Sequence, residues 1–156
     1  MTLETKTKLS EATLASLQEL IHINVDSRDT FQELADGTTN ASVAIMFREL
    51  ASERNRNVAE LESVLNSNHA KPNETGTFAA ACHRILISLR STLGAGTTEM
   101  LDEAVSAEGK IQKKYEEVLT REPGSAISDI LHRQYGGVRV AHDRVRAIRD
   151  AHRRAN

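Results

Sequence analysis

Asn24 and Arg28, Glu53, Arg54 and Asn57, Glu108, and His142 interrupt the apolar stripes of four separate stretches of this chain, each near the middle of its stretch. Carboxylates and an imidazole can ligate a metal ion or move protons. Arginines and amides can neutralise and hydrogen-bond carboxylates. A helix interior normally excludes all of these groups, because desolvating an ion costs several kcal/mol unless it is paired or bound. Four interruptions at one height predict a single polar layer, with Asp26 as a neighbour of Asn24.

Helices must position that layer. Leu14, Leu17, Ile21, Asn24, Arg28 and Phe31 recur at spacings of three and four, which predicts a helix over 10–35 with Ser10 as its N-cap and Asp36-Gly37 at its end. Val43, Phe47, Leu50, Arg54, Asn57, Leu61 and Val64 mark a second helix over 40–67. A polar linker containing Pro72 follows it. A shorter pattern over 77–93 carries Phe78, Cys82, Ile85, Leu86, Leu89 and Leu93, and Gly94-Ala95-Gly96 closes it. Leu101, Ala104, Val105, Glu108, Ile111, Tyr115 and Val118 mark the next long helix over 98–121, with Thr97 or Thr98 as its cap. Pro123-Gly124 makes a turn, and Ser125 is the expected cap of a last helix reaching 152. That helix carries Ile127, Leu131, Gln134, Val138, His142 and Val145 on one face. Gly136-Gly137 inside it predicts a kink or a close helix contact.

Composition narrows the function classes. The 156 residues suit one compact domain over 10–155, with residues 1–9 as a flexible N-terminus. Aromatic residues make up 3% of the chain and Trp is missing, so the core is aliphatic, which suits helix packing. A formal charge of -2 predicts no general attraction to nucleic acid or membrane. The one cysteine, Cys82, rules out an intrachain disulfide and points to the cytoplasm. Its neighbour His83 points about 100° away on a helix, so the thiol is expected to be inert. No apolar run serves as a signal peptide or crosses a bilayer. Nucleic acid enters only as an alternative, through Arg139, Arg144, Arg146, Arg149, Arg153 and Arg154 on the last helix. No phosphate loop, Cys-x-x-Cys pair or nucleophile elbow occurs.

Two long helices, a connection bearing a short helix, and two more long helices predict an all-α, ferritin-like antiparallel four-helix bundle of two hairpins. Such bundles hold two metal ions with a Glu on each of two helices and a Glu-x-x-His pair on each of the others. Here Arg56 stands where the His after Glu53 would be, and Arg139 replaces the carboxylate before His142. Arginine carries a fixed positive charge and cannot ligate a metal. One reading has Arg28, Arg54 or His142 neutralising Glu53 and Glu108 in a buried network, with no cofactor. The other is a mononuclear or distorted iron, manganese or zinc site on Glu53, Glu108 and His142.

The stretch Leu20-Ile21-His22-Ile23-Asn24-Val25-Asp26, Glu53, His83-Arg84, Ala107-Glu108-Gly109 before Tyr115-Glu116, and Ala141-His142-Asp143-Arg144-Val145-Arg146 resemble a bacterial family of ferritin-like four-helix bundles classed as a domain of unknown function. The resemblance spans roughly residues 14 to 150. It implies a ferritin-like bundle with no established reaction. The expectation is therefore a bacterial cytoplasmic homodimer, non-enzymatic and stress-associated, that binds or scaffolds. A metal-binding protein or metal-dependent oxidase is the alternative.

Overall fold

A computed structural model of the protein describes residues 3–72, 96–122 and 124–155. Four helices occupy them: α1 Glu11–Gly37, α2 Ala41–Ser67, α3 Thr97–Arg121 and α4 Ser128–Ala155. Each has 25 to 28 residues and therefore measures roughly 40 Å. The short helix expected over 77–93, with Cys82 and His83, lies outside the described residues.

The caps follow the local chemistry in two cases and depart from it in two. Ser10 caps α1 by accepting from the Thr13 amide at 3.1 Å, and Asn40 caps α2 by accepting from Val43, also at 3.1 Å. Gly96, rather than Thr97 or Thr98, stands at the N-cap of α3, with no side-chain cap bond. Ser125 does not cap α4, which begins three residues later. Ile127 is wholly buried in the core, and the Ala126 amide donates to the Glu4 carboxylate at 2.9 Å. The turn is thus held by the segment before α1. That segment, expected as a flexible extension, also pairs Lys6 with Asp129 and donates the Leu9 amide to Asn68.

Two core clusters fix the directions of the helices. At one end Leu17, Leu61, Leu65, Val118, Ile127 and Leu131 pack together. At the other, Phe31, Phe47, Met100, Leu101 and Val145 do so, with the Phe31 and Phe47 rings stacked 5.8 Å apart. Hence α1 and α4 run one way, and α2 and α3 the other. The end of α2 and the start of α3 lie at opposite ends of the bundle, so the link between them is a crossover and not a hairpin. α1 packs against α2 and α3, and α3 packs against α4. α2 and α4 face each other across a looser seam, bridged by long polar side chains: Glu60 to Arg133 and Gln134, and Glu49 to Arg144.

No helix among the described residues is long and apolar enough to cross a membrane. α4 passes unbroken through Gly136 and Gly137. Of the two expectations for that pair, the close contact holds. A Cβ on Gly137 would meet Glu53 Oε1 at 2.8 Å, whereas one on Gly136 would meet nothing within 4 Å.

Candidate functional site: a buried polar layer

Between the two apolar clusters the core turns polar. Its centre is Arg54, whose side chain is 0% exposed, opposite Glu108, also 0% exposed. The spacing of the sequence explains this placement. Arg54 lies four residues after Leu50 and seven before Leu61, so the face that buries those leucines carries it inward. Glu108 sits likewise between Ala104 and Ile111.

Every nitrogen of the Arg54 guanidinium has a partner. Nη2 donates to Glu108 Oε2 in a short charged contact. Nη1 donates to Glu53 Oε1 at 3.1 Å, and Nε donates to Ser27 Oγ at 3.3 Å. Ser27 Oγ in turn donates to Glu108 Oε1 at 3.3 Å. One guanidinium therefore serves two carboxylates and a hydroxyl from α1, α2 and α3. Burial pushes the Glu108 carboxyl above its ordinary value, against the pull of Arg54 and Ser27, and the nearby charge of Glu53 adds to the rise.

A second chain of bonds closes the layer across all four helices. Asn57 donates to Asn24 Oδ1 at 3.2 Å, and Asn24 donates to the Tyr115 hydroxyl at 2.8 Å. Tyr115 donates to Gln134 Oε1 at 2.8 Å, and Gln134 donates to Glu60 Oε1 at 2.7 Å. Burial raises the Tyr115 phenol well above its usual range, so it stays protonated and keeps this donor. Among the described residues, Ser125 Oγ is the only buried side-chain polar atom without a partner, and it is not in the layer. The polar layer is thus fully bonded, the condition under which buried polar groups can persist.

The eight residues picked out by their spacing divide. Asn24, Glu53, Arg54, Asn57 and Glu108 meet in these networks, and of the neutralising groups considered it is Arg54 that holds the carboxylates. Glu53 is half-buried at the α2/α4 seam, against Gly137. Asp26 is buried, but it lies on the α1/α3 side, beside Ser27, Thr30 and Lys110. Arg28 turns outward to Asp29 and Asn55, because it lies beyond the face that buries Ser27 and Phe31. His142 is partly exposed and sits 3.6 Å from Asp143, while its neighbour Ala141 faces the core. Ser27, Glu60, Tyr115 and Gln134 are the members that spacing did not single out as polar. Gln134, between Leu131 and Val138 on the stripe of α4, had a readable signal, and so did Tyr115. Ser27 and Glu60 had none.

The donor set does not fit a metal. Among the described residues no three His, Cys, Asp or Glu side chains are grouped to hold an ion. Glu108 spends both oxygens on Arg54 and Ser27, and the guanidinium that bonds both Glu108 and Glu53 repels cations. The trio of Glu53, Glu108 and His142 is therefore not assembled.

Fold and site together define a four-helix bundle with a buried, hydrogen-bonded charge layer. Residues 12–121 match a family described as a domain of unknown function (DUF2383), and the chain belongs to that family. The matched stretch holds α1 to α3, including Arg54 and Glu108, and ends before α4. No curated protein matches the chain.

Proposed function

We propose that this protein is a ferritin-like bundle in which an internal arginine has taken the place of a metal pair, and that it works by binding or scaffolding and not by catalysis. The observation that carries this reading is the Arg54–Glu108 pair at the centre of the bundle, saturated by Ser27 and Glu53. The crossover between α2 and α3 supports the ferritin-like comparison, since those folds join two hairpins by one long connection. A fixed positive charge there repels cations, and both Glu108 oxygens already accept from Arg54 and Ser27. In this reading the protein is a bacterial, cytoplasmic, stress-associated homodimer.

Elemental analysis of protein purified without chelator tests the proposal, with Glu108→Ala as control. The expected result is no stoichiometric iron, manganese or zinc in the wild type. Stoichiometric metal that disappears in Glu108→Ala would overturn it in favour of a metal-dependent oxidase.

A further inference from the structure

Arg28 belongs to a different feature from the one its spacing indicated. It lines a groove of about 380 Å³ on the outer face of the α1/α2 hairpin, with Gln32, Arg48, Ala51, Ser52 and Asn55. Arg28 and Gln32 are one turn apart on α1. Arg48, Ser52 and Asn55 recur at four and three on α2, so all five polar side chains border one trough. Buried Ala51 forms its apolar floor.

The bonding around the groove sorts its donors from its acceptors. Asn55 Oδ1 already accepts from Arg28 Nη1 at 3.2 Å, which leaves the amide NH₂ as the group Asn55 can offer. Ser52 Oγ accepts from Arg56 Nη1 at 3.2 Å, which leaves its O–H to donate. Arg28 Nε is anchored on Asp29 at 2.9 Å, so its guanidinium is oriented while Nη2 keeps its donors. Arg48 is 60% exposed, and its carboxylate neighbour Asp36 stands 3.9 Å away. No acidic side chain lines the groove itself. Two guanidiniums, two amides and a hydroxyl therefore converge on a trough in which the Asn55 and Ser52 oxygens already accept from arginines.

We infer that this groove is a binding site for a phosphate-class oxyanion carried by a small molecule. Arg28 and Arg48 would supply the fork geometry that matches phosphate oxygens, and Ser52 and Asn55 would supply neutral donors. The inference is independent of the polar layer: it concerns the outer face of one hairpin and stands whether or not the bundle centre takes a metal.

The test is an amide-resolved NMR titration of the full chain with inorganic phosphate, and separately with pyrophosphate, at constant ionic strength held by sodium chloride. The expected result is saturable shifts at Arg28, Gln32, Arg48, Ser52 and Asn55. Arg48→Gln should weaken the binding by about tenfold or more, equivalent to about 1.4 kcal/mol. Arg146→Gln, at an exposed position of α4, should leave it unchanged. Tighter binding of pyrophosphate would identify a polyphosphate type of ligand, and equal binding a single phosphoryl group. Absence of saturation, or an affinity that Arg48→Gln leaves unchanged, would overturn the assignment. Because Arg48 is mostly exposed, its substitution leaves the core intact, and the spectrum of the variant verifies that directly.

Discussion

Breaking the Arg54–Glu108 pair from one side should cost far more than removing both partners together. Glu108→Leu keeps the volume but leaves a guanidinium at 0% exposure with Glu53 and Ser27 as its only partners. Removing one member of a buried pair typically costs about 3–5 kcal/mol. Glu53 remains on Nη1, so Glu108→Leu should fall at the low end, about 3 kcal/mol. Arg54→Met leaves Glu108 buried with only Ser27, but a carboxyl can take up a proton where a guanidinium cannot give one up. The double variant Arg54→Met/Glu108→Leu should be neutral or more stable than wild type by about 1–4 kcal/mol, since neither desolvation cost remains. At roughly 2–4 °C per kcal/mol for a chain of this size, Glu108→Leu alone should lower Tm by roughly 6–12 °C. Urea unfolding followed by circular dichroism gives all four corners of the cycle.

The pH dependence adds a sign to this cycle. Burial holds Glu108 above its ordinary value of 4.5, so the folded state keeps the proton more tightly than the unfolded state. The stability linked to that proton is complete below the ordinary value and is lost as pH rises through the raised one. Arg54→Met removes the charge that opposes the rise, which lifts the carboxyl further. The deficit of Arg54→Met against wild type should therefore be small at about pH 5 and larger at about pH 8. Equal deficits at the two values, or a double variant as unstable as the sum of the singles, would refute the account of the layer as a mutually dependent ion pair.

Other consequences are simpler. Tyr115→Phe deletes the hydroxyl between Asn24 and Gln134 and leaves two buried groups short of a partner. It should cost about 1–3 kcal/mol in thermal or urea unfolding, against near-neutrality if the layer were wet. Gly136→Ala should stabilise α4 by about 1 kcal/mol, because its Cβ meets nothing. Gly137→Ala should gain less or lose, because its Cβ meets Glu53 Oε1 at 2.8 Å and the carboxylate must move off. Comparing the two melting temperatures tests the close contact directly, and equal gains would remove it.

The periodicity of the apolar residues was enough to locate four long helices and to place Arg54 and Glu108 on inward faces, because a helix presents one side every three or four residues whatever it packs against. It was also enough to expect a polar layer, since Asn24, Arg54, Asn57 and Glu108 interrupt otherwise apolar stripes near the same height. Local chemistry identified Ser10 as a cap, whose bond reaches only three residues, while the cap role of Asn40 was seen in the structure. Which cation meets which carboxylate was decided by the tertiary structure. Arg28 and His142 sit at the edges of their stripes, where a small rotation of the helix separates the core from solvent, and only packing sets that rotation. Arg28 turned out to the α1/α2 groove and His142 to Asp143, while Ser27, unremarked in sequence, took an inward place. Ser125 does not cap α4, which begins at Ser128, and the distant Glu4 holds the intervening backbone through the Ala126 amide. Chain periodicity fixes the faces of each helix; the pairing of charges across helices depends on side-chain reach and relative rotation, which arise only when all four pack together.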